Sequence, residues 1–432
     1  MDFIFESYAF DAKTGVLKLG YAYSDGTKFT ETLTFPTPVP AHNAEAADRL
    51  FRLLLLMSGV SYYKAKMPER LICKAFKMDI ATSTWMKKVY ALGLAEFAFK
   101  NNVKLNLQFE QGLAAPPKPL ELNLPNKILI PVGGGKDSIV TLEMLRDMNP
   151  TLFAVGGPGG AAQPIADTIK VAGMPSVYVS RVLSPNLMEM NAAGALNGHV
   201  PITGIISVIA LCCAVLYGFD TVVMSNEASA SASNFDGVNH QYSKSFEFEL
   251  ALDDWVKTHV GPGLRYLSFL RPVTEVAIAR KFTRMSQYHN VFRSCNTAFK
   301  QDEAARGTKW CCNCPKCRFV FLVLAPFMDK QNLIDIFGKN MLDDSTQLKG
   351  YEELTGVSGV KPFECVGEIE ESAATIERLA SMRYWQDDIV VEFIQRKISS
   401  PDFEFLFRLN SKHALPFPYL ERLDADKKPP RR

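Results

Sequence analysis

The sequence has very little charge of one sign. Its 48 Lys and Arg face 46 Asp and Glu, a formal net charge of +2 over 432 residues. Proteins that coat nucleic acid displace counterions with a basic domain or stripe, so no nucleic-acid partner is expected. The one basic block, Lys427 to Arg432, reads as a solvated tail. Internal repeats and low-complexity tracts are missing too, and 47% hydrophobic against 22% charged residues excludes wholesale disorder. Long apolar runs are scarce. Residues 200–219 carry no charge over about the length a bilayer requires. Pro201, Thr203, Gly204, Ser207 and Gly218 interrupt that run and a second apolar stretch, 221–224, follows it at once. A helix buried on a sheet, then a strand, explains the pattern better than a membrane span. Acids at Asp2 and Glu6 stand where an export signal carries Lys or Arg. The expectation is a cytoplasmic chain without membrane attachment; no protein partner can be inferred.

Nine cysteines are present and unevenly placed. Four fall between Cys311 and Cys317, Cys295 lies just upstream, and Cys73, Cys212, Cys213 and Cys365 are scattered. A disulfide framework requires a short exported chain, so the group reads as a metal site or a thiol site in a reducing compartment.

The chain changes texture along its length. Residues 3–35 alternate as antiparallel strands do, and Pro36, Pro38 and Pro40 end them. Asn43 is placed to cap a helix, and a second helix is expected over 83–99. The proline-rich stretch 112–125 marks a boundary. Beyond it, strands at 128–132, 152–155, 176–179 and 221–224 alternate with helices, the pattern of a parallel sheet covered on both faces. Glu247 and Glu249 alternate as the solvated face of a strand would, and after about Phe319 the texture is mainly helical. The expected fold is α/β: an N-terminal α+β domain (1–122), a doubly wound parallel-sheet domain with the cysteine group (123–320), and a helical region (321–432).

The most informative segment runs from Ile128 through Gly133-Gly134-Gly135-Lys136-Asp137-Ser138 to Ile139. A strand feeds a glycine loop that opens a helix, which aims backbone N–H groups and the positive helix end at an anion. Walker A requires Ser or Thr after the lysine, where Asp137 stands, and the dinucleotide fingerprint requires a third Gly, where Ser138 stands. The loop resembles that of the ATP pyrophosphatase (PP-loop) superfamily, Ser-Gly-Gly-X-Asp-Ser, with Gly133 in place of the first Ser. The resemblance extends to His199-Val-Pro-Ile-Thr203, to Met224-Ser-Asn-Glu227, and to Cys295, Cys311, Cys314 and Cys317, which match the zinc ligands of the nucleobase-nitrile synthases in that superfamily. Cys312 is the spare, and the loop 156–160 is longer in glycine than the resemblance leads one to expect.

Longer segments narrow the match. Gly59-Val-Ser-Tyr-Tyr-Lys64, Ala195 to Pro201, Met224 to Ala230, Asn239 to Glu249 and Cys314-Pro-Lys-Cys-Arg-Phe319 resemble the family of bacterial UDP-N-acetylmuramoyl-L-alanyl-L-glutamate epimerases of peptidoglycan synthesis. That resemblance implies inversion of the terminal L-Glu of a UDP-muramoyl dipeptide to D-Glu through an acyl-adenylate, with ATP and Mg²⁺ and a structural Zn²⁺. It implies that Gly133, Gly134, Gly135, Lys136, Asp137, Ser138 and Asn226 serve the nucleotide, with Asp137 near Mg²⁺. For proton transfer the candidates are His240, Lys244, Glu227 and Asp137, then Tyr242 and His199. Tyr62, Tyr63 and Lys64 read as a helix end packed on the sheet, with contact to the sugar or uridine as the alternative. Other functions compatible with the residues are a different adenylating enzyme, amidating a carboxylate or thiolating a base, and a zinc-containing nucleic-acid-binding module.

Overall fold

Alternation explains the first elements of the computed structural model, which describes residues 1–40, 43–231, 241–300, 306–399 and 402–424. Strands β1 (Asp2–Asp11), β2 (Val16–Tyr23) and β3 (Lys28–Thr34) pair antiparallel. Their inward side chains Phe3, Phe5, Leu17, Leu19, Tyr21 and Leu33 are fully buried. The tight turn into β2 requires Gly15, at φ +69°, because a Cβ there would lie 2.3 Å from the Phe35 carbonyl oxygen. β4 (Arg70–Cys73) and β5 (Gln108–Phe109) add parallel partners beyond β1.

The second half of the sheet is parallel: β6 (Ile128–Pro131), β7 (Thr151–Gly156), β8 (Ser176–Val182), β9 (Thr221–Met224) and β10 (Arg265–Ser268). Among the described residues the ten strands form one sheet in the order β10-β9-β6-β7-β8-β3-β2-β1-β4-β5. The seam between the halves is the antiparallel pair β3–β8, pinned by Arg181 Nε donating to Glu31 Oε1 at 2.7 Å. Strands on either side of the proline-rich stretch therefore share one ladder, and that stretch docks back through Leu120 N–H on the Val260 carbonyl.

Successive residues of the parallel strands enter two different cores, as the pleat demands. Leu129, Phe153, Val222 and Tyr266 pack with the helices Ala44–Ser58 and Ile202–Tyr217. Ile128, Ile130, Val223 and Leu267 pack with Lys136–Met144, Glu275–Phe282 and Pro315–Leu324. Both faces are covered by helices, and the chain is a mixed α/β structure around a large central sheet. The apolar run 200–219 is the helix Ile202–Tyr217, and no described helix is long and apolar enough to cross a membrane. The C-terminal region contributes the helices Lys330–Phe337, Leu348–Thr355, Ile369–Ala380 and Ile389–Gln395 to the second core.

Several local expectations change. Asn43 sits at φ 67° and makes no side-chain cap. The second helix starts earlier, at Ile80, because the Asp79 side chain accepts the Thr82 N–H; it ends at Gly93, and Ala95–Asn101 forms a separate helix. Glu247 and Glu249 lie in the helix Phe246–His259, not on a strand face; Ser245 starts it by accepting the Phe248 N–H, and Glu249 is buried.

Candidate active site

Strand order reverses between β6 and β9. From β6 the chain winds one way through β7 to β8, and from β9 it winds the other way to β10. In open parallel sheets ligands bind at such a switch point, beyond the carboxyl ends of the strands. The loop Val132–Gly135 leaves β6 there, and Ser225, Asn226 and Glu227 leave β9 beside it. Gly134 takes φ +74°, and a Cβ on it would lie 2.8 Å from the Pro164 carbonyl carbon. Gly135 is extended and begins the helix Lys136–Met144 without a side-chain cap. Ser138 Oγ closes the loop, accepting from Gly133 N at 3.3 Å and donating to the Gly135 carbonyl at 3.1 Å. Space is open around Gly133, where the superfamily pattern carries Ser. The glycine-rich loop 156–160 is a tight turn, closed by the Gly160 N–H on the Gly157 carbonyl and by Tyr178 Oη donating to the same oxygen.

Three carboxylates converge on this loop. Asp137, Glu227 and Glu275 each offer an oxygen within 4.8 Å of the other two, and Glu227 and Glu275 are buried. Lys136 is buried beside them, its Nζ bound to Asp137 at 2.5 Å and to Glu275. Burial opposes the Lys136 ammonium, but Asp137 and Glu275 outweigh it and hold its pKa above the usual lysine range. Burial pushes the Glu275 carboxyl up, with Lys136 pulling against it. Three converging carboxyl groups offer the oxygen ligands that a divalent cation such as Mg²⁺ takes.

Glu275 has no sequence motif around it beyond Thr274, whose side chain caps the helix Glu275–Phe282. It is positioned from the far end of the chain: Glu371 Oε1 accepts the Glu275 N–H at 2.7 Å, and Glu371 belongs to a capping box with Glu368. Another unforeseen residue is Arg271. Fully buried, it donates to Glu249 Oε2 at 2.9 and 2.8 Å, to the Glu227 carbonyl at 2.9 Å and to the Lys244 carbonyl at 2.7 Å. It thereby fixes the backbone under two of the expected catalytic side chains.

Of the proton-transfer candidates, the structure gathers Lys244, Glu227 and Asp137. Burial works against the Lys244 ammonium, yet Cys365, Glu227 and Asp137 outweigh it and keep its pKa high. His240 lies outside the described residues. His199 Nδ1 faces Glu96 at 3.5 Å and Tyr242 Oη faces Glu247 at 3.5 Å, both on other partners. Asn226 is buried with its Nδ2 on Ser268 Oγ at 2.9 Å. Tyr62 and Tyr63 are fully buried in a short helix, and buried Lys64 is bonded to Asn197, with burial lowering its pKa to about 8.

The sulfurs of Cys295, Cys311, Cys314 and Cys317 all lie within 4.8 Å of one another. Cys311 and Cys314 approach Cys317 at 3.6 and 3.4 Å, and the Cys311 N–H points at Cys295 Sγ. Four converging thiols are a donor set that fits a closed tetrahedral Zn²⁺ site. Cys312 turns away at φ 51°, its Sγ 3.2 Å from the Phe337 carbonyl. This group touches the glycine loop through the residues preceding Cys295. Arg293 N–H donates to the Gly134 carbonyl at 2.8 Å, and Ser294 packs 3.4 Å from the Cβ position of Gly135.

Comparison with known proteins follows the same outline. The family described as MurL N-terminal domain matches residues 1–269, and the MurL C-terminal domain matches residues 291–404. A protein of Xanthomonas oryzae pv. oryzae is 40% identical over 98% of this chain and 97% of its own length. One of a Micromonospora species is 41% identical over the same shares, and one of Salinispora tropica 42% identical over 90% and 87%. No solved structure matches. All three relatives carry the name UDP-N-acetyl-alpha-D-muramoyl-L-alanyl-L-glutamate epimerase, and the chain belongs to this MurL family of epimerases.

Proposed function

We propose that the protein inverts the terminal L-Glu of UDP-N-acetylmuramoyl-L-Ala-L-Glu to D-Glu in an ATP- and Mg²⁺-dependent reaction, a cytoplasmic step supplying D-Glu for peptidoglycan. The observation that carries the reading is the convergence of Asp137, Glu227 and Glu275 on the glycine loop at the switch point of the parallel strands, in a chain of this family. The fold of that half is read as a PP-loop pyrophosphatase sheet, with Gly133 to Ser138 cradling phosphates through backbone N–H groups.

ATP makes the chemistry intelligible. Removing the α-proton of a free carboxylate builds a dianion. Adenylylating the carboxylate, with release of pyrophosphate, cancels its charge and gives a carbonyl into which the carbanion electrons delocalise. Proton return on the opposite face inverts the centre, and hydrolysis of the mixed anhydride releases AMP. Asp137, Glu227 and Glu275 would hold Mg²⁺, which neutralises phosphate charge when bound. Cys295, Cys311, Cys314 and Cys317 would hold Zn²⁺ as a fold element. The test is incubation with the UDP-muramoyl dipeptide, ATP and Mg²⁺ in deuterated water. Deuterium at the α-carbon of a D-Glu product, with pyrophosphate and AMP released, is expected. An unchanged L-Glu centre, or epimerisation without those products, refutes the reading or its adenylate step respectively.

A further inference from the structure

Lys64 ends the short helix Val60–Tyr63 and is only 5% exposed. The similarly buried cations Lys136 and Arg271 meet carboxylates, Asp137 and Glu275 for the first and Glu249 for the second. Among the described residues Lys64 meets none. Its Nζ bonds to Asn197 Oδ1, a neutral oxygen that also accepts the Gly198 N–H at 2.9 Å. An ammonium has three N–H donors, so two are left over. Burial lowers its pKa to about 8, which still leaves it protonated at neutral pH. A cation buried without a counter-charge costs stability, and an arriving anion offsets that cost. Asn197 and Gly198 are exposed, so a ligand approaches the ammonium from their side.

The place of this ammonium in the fold says which anion. Arg181 Nη2 reaches Ser61 Oγ at 3.4 Å, and Tyr62 Oη accepts the Ser184 N–H at 3.2 Å, which seats the helix on the carboxyl end of β8. β8 follows β6 and β7 in the sheet, so at about 4.8 Å per strand it stands about 10 Å from the glycine loop, on the same edge. The segment carrying Asn197 bridges that interval. Asn101 Nδ2 holds the Asn197 carbonyl at 3.2 Å, and the segment runs into the helix Ile202–Tyr217, where a Cβ on Gly204 would lie 3.3 Å from Ser243, the neighbour of Lys244. The reacting α-carboxylate has to meet ATP at the glycine loop, and the γ-carboxylate of the same residue stays beside it. The diphosphate is set apart from both by the alanine, about 3.8 Å, and by the muramoyl group. We propose that Lys64 binds the diphosphate of the UDP-linked dipeptide, which lies along the carboxyl edge of β6, β7 and β8 with its glutamyl end at the switch point. The inference rests on the proposed action on a UDP-muramoyl dipeptide.

The test titrates the full chain as wild type, Lys64→Met and Asn197→Asp with the UDP-muramoyl dipeptide and with UDP, each beside a non-hydrolysable ATP analogue and Mg²⁺ to occupy the glycine loop. Both variants are expected to bind both ligands about 10- to 100-fold more weakly, with affinity for the ATP analogue unchanged. Lys64→Met deletes the ammonium, and Asn197→Asp sets a carboxylate against it in the anion's place. Wild-type affinity for the dipeptide in Lys64→Met overturns the inference. A loss confined to the dipeptide, with UDP bound as in wild type, overturns it too, because Lys64 then serves the glutamyl end. Wild type that binds the dipeptide but not UDP, or a parallel loss of the ATP analogue in the variants, has the same consequence. Should Lys64→Met fail to fold, Asn197→Asp decides, being nearly isosteric at an exposed position, and undiminished binding of both ligands overturns the inference. Wild type that neither binds nor epimerises the dipeptide defeats the proposed function itself, a result distinct from these.

Discussion

Neighbouring glycines in the loop after β6 make opposite demands. Gly134 needs its left-handed backbone and has no room for a Cβ, so Gly134→Ala should remove most activity through strain and a clash with Pro164. Gly133 has open space and no such backbone, so Gly133→Ser should keep wild-type turnover. Steady-state kinetics of the two variants tests both statements, and a tolerated Gly134→Ala would contradict the loop geometry. Glu371 gives a pH signature. Burial pushes its carboxyl up to about 7, against the N–H groups of Glu368, Glu275 and Val276 that it accepts. The folded protein thus holds this proton more tightly than the unfolded chain, whose glutamates titrate near about 4.3. The stability carried by the proton is complete below that value and is lost as pH rises through about 7. Glu371→Gln should therefore show a shallower fall in melting temperature than wild type between about pH 5 and pH 8; parallel curves would count against the assignment.

Among the elements, the cysteine knuckle and the helix Phe246–His259 frame the site from two sides. Cys317→Ser should abolish zinc binding, whereas Cys312→Ser should leave metal content unchanged, because the Cys312 sulfur faces the Phe337 carbonyl. Elemental analysis of purified protein decides this, and equal zinc in both variants would refute the ligand set. Glu249→Ala leaves the Arg271 guanidinium buried without its carboxylate, which typically costs about 3–5 kcal/mol. Urea unfolding measures that loss, and a change under about 1 kcal/mol would show the pair to be dispensable. This helix is also where the sequence misleads. Glu247 and Glu249 are two apart, a strand-like spacing, but the Ser245 cap commits the segment to a helix and turns Glu249 inward onto Arg271. The glycine loop is legible because its strand, turn and helix are contiguous. Glu275, Glu371 and Arg271 are not, because each is placed by packing between segments distant along the chain.

At the scale of the molecule, the β3–β8 seam joins what reads in the sequence as separate domains. A continuous ladder with the buried Arg181–Glu31 pair at its joint should unfold as one unit. The tryptophans report on each side: Trp85 belongs to the part before residue 112, and Trp255, Trp310 and Trp385 to the part after residue 125. A variant keeping only Trp85 and one keeping only Trp385, followed by fluorescence in urea, should give coincident midpoints; two separated transitions would show independent domains. The helices on both faces and the parallel series from β6 to β9 were readable from apolar periodicity. The seam was not, since register between β3 and β8 depends on residues some 150 positions apart, Glu31 and Arg181.

The anchoring of Glu275 by Glu371 also has a meaning in time. Proteins are made from the first residue onward, and the glycine loop at 133–138 is complete long before the capping box at Glu368 and Glu371 exists. A nascent chain thus owns the glycine loop well before it owns the parts that aim Glu275. The far C-terminal helices act as the last piece of an assembly sequence, so that a half-made chain lacks the assembled carboxylate centre.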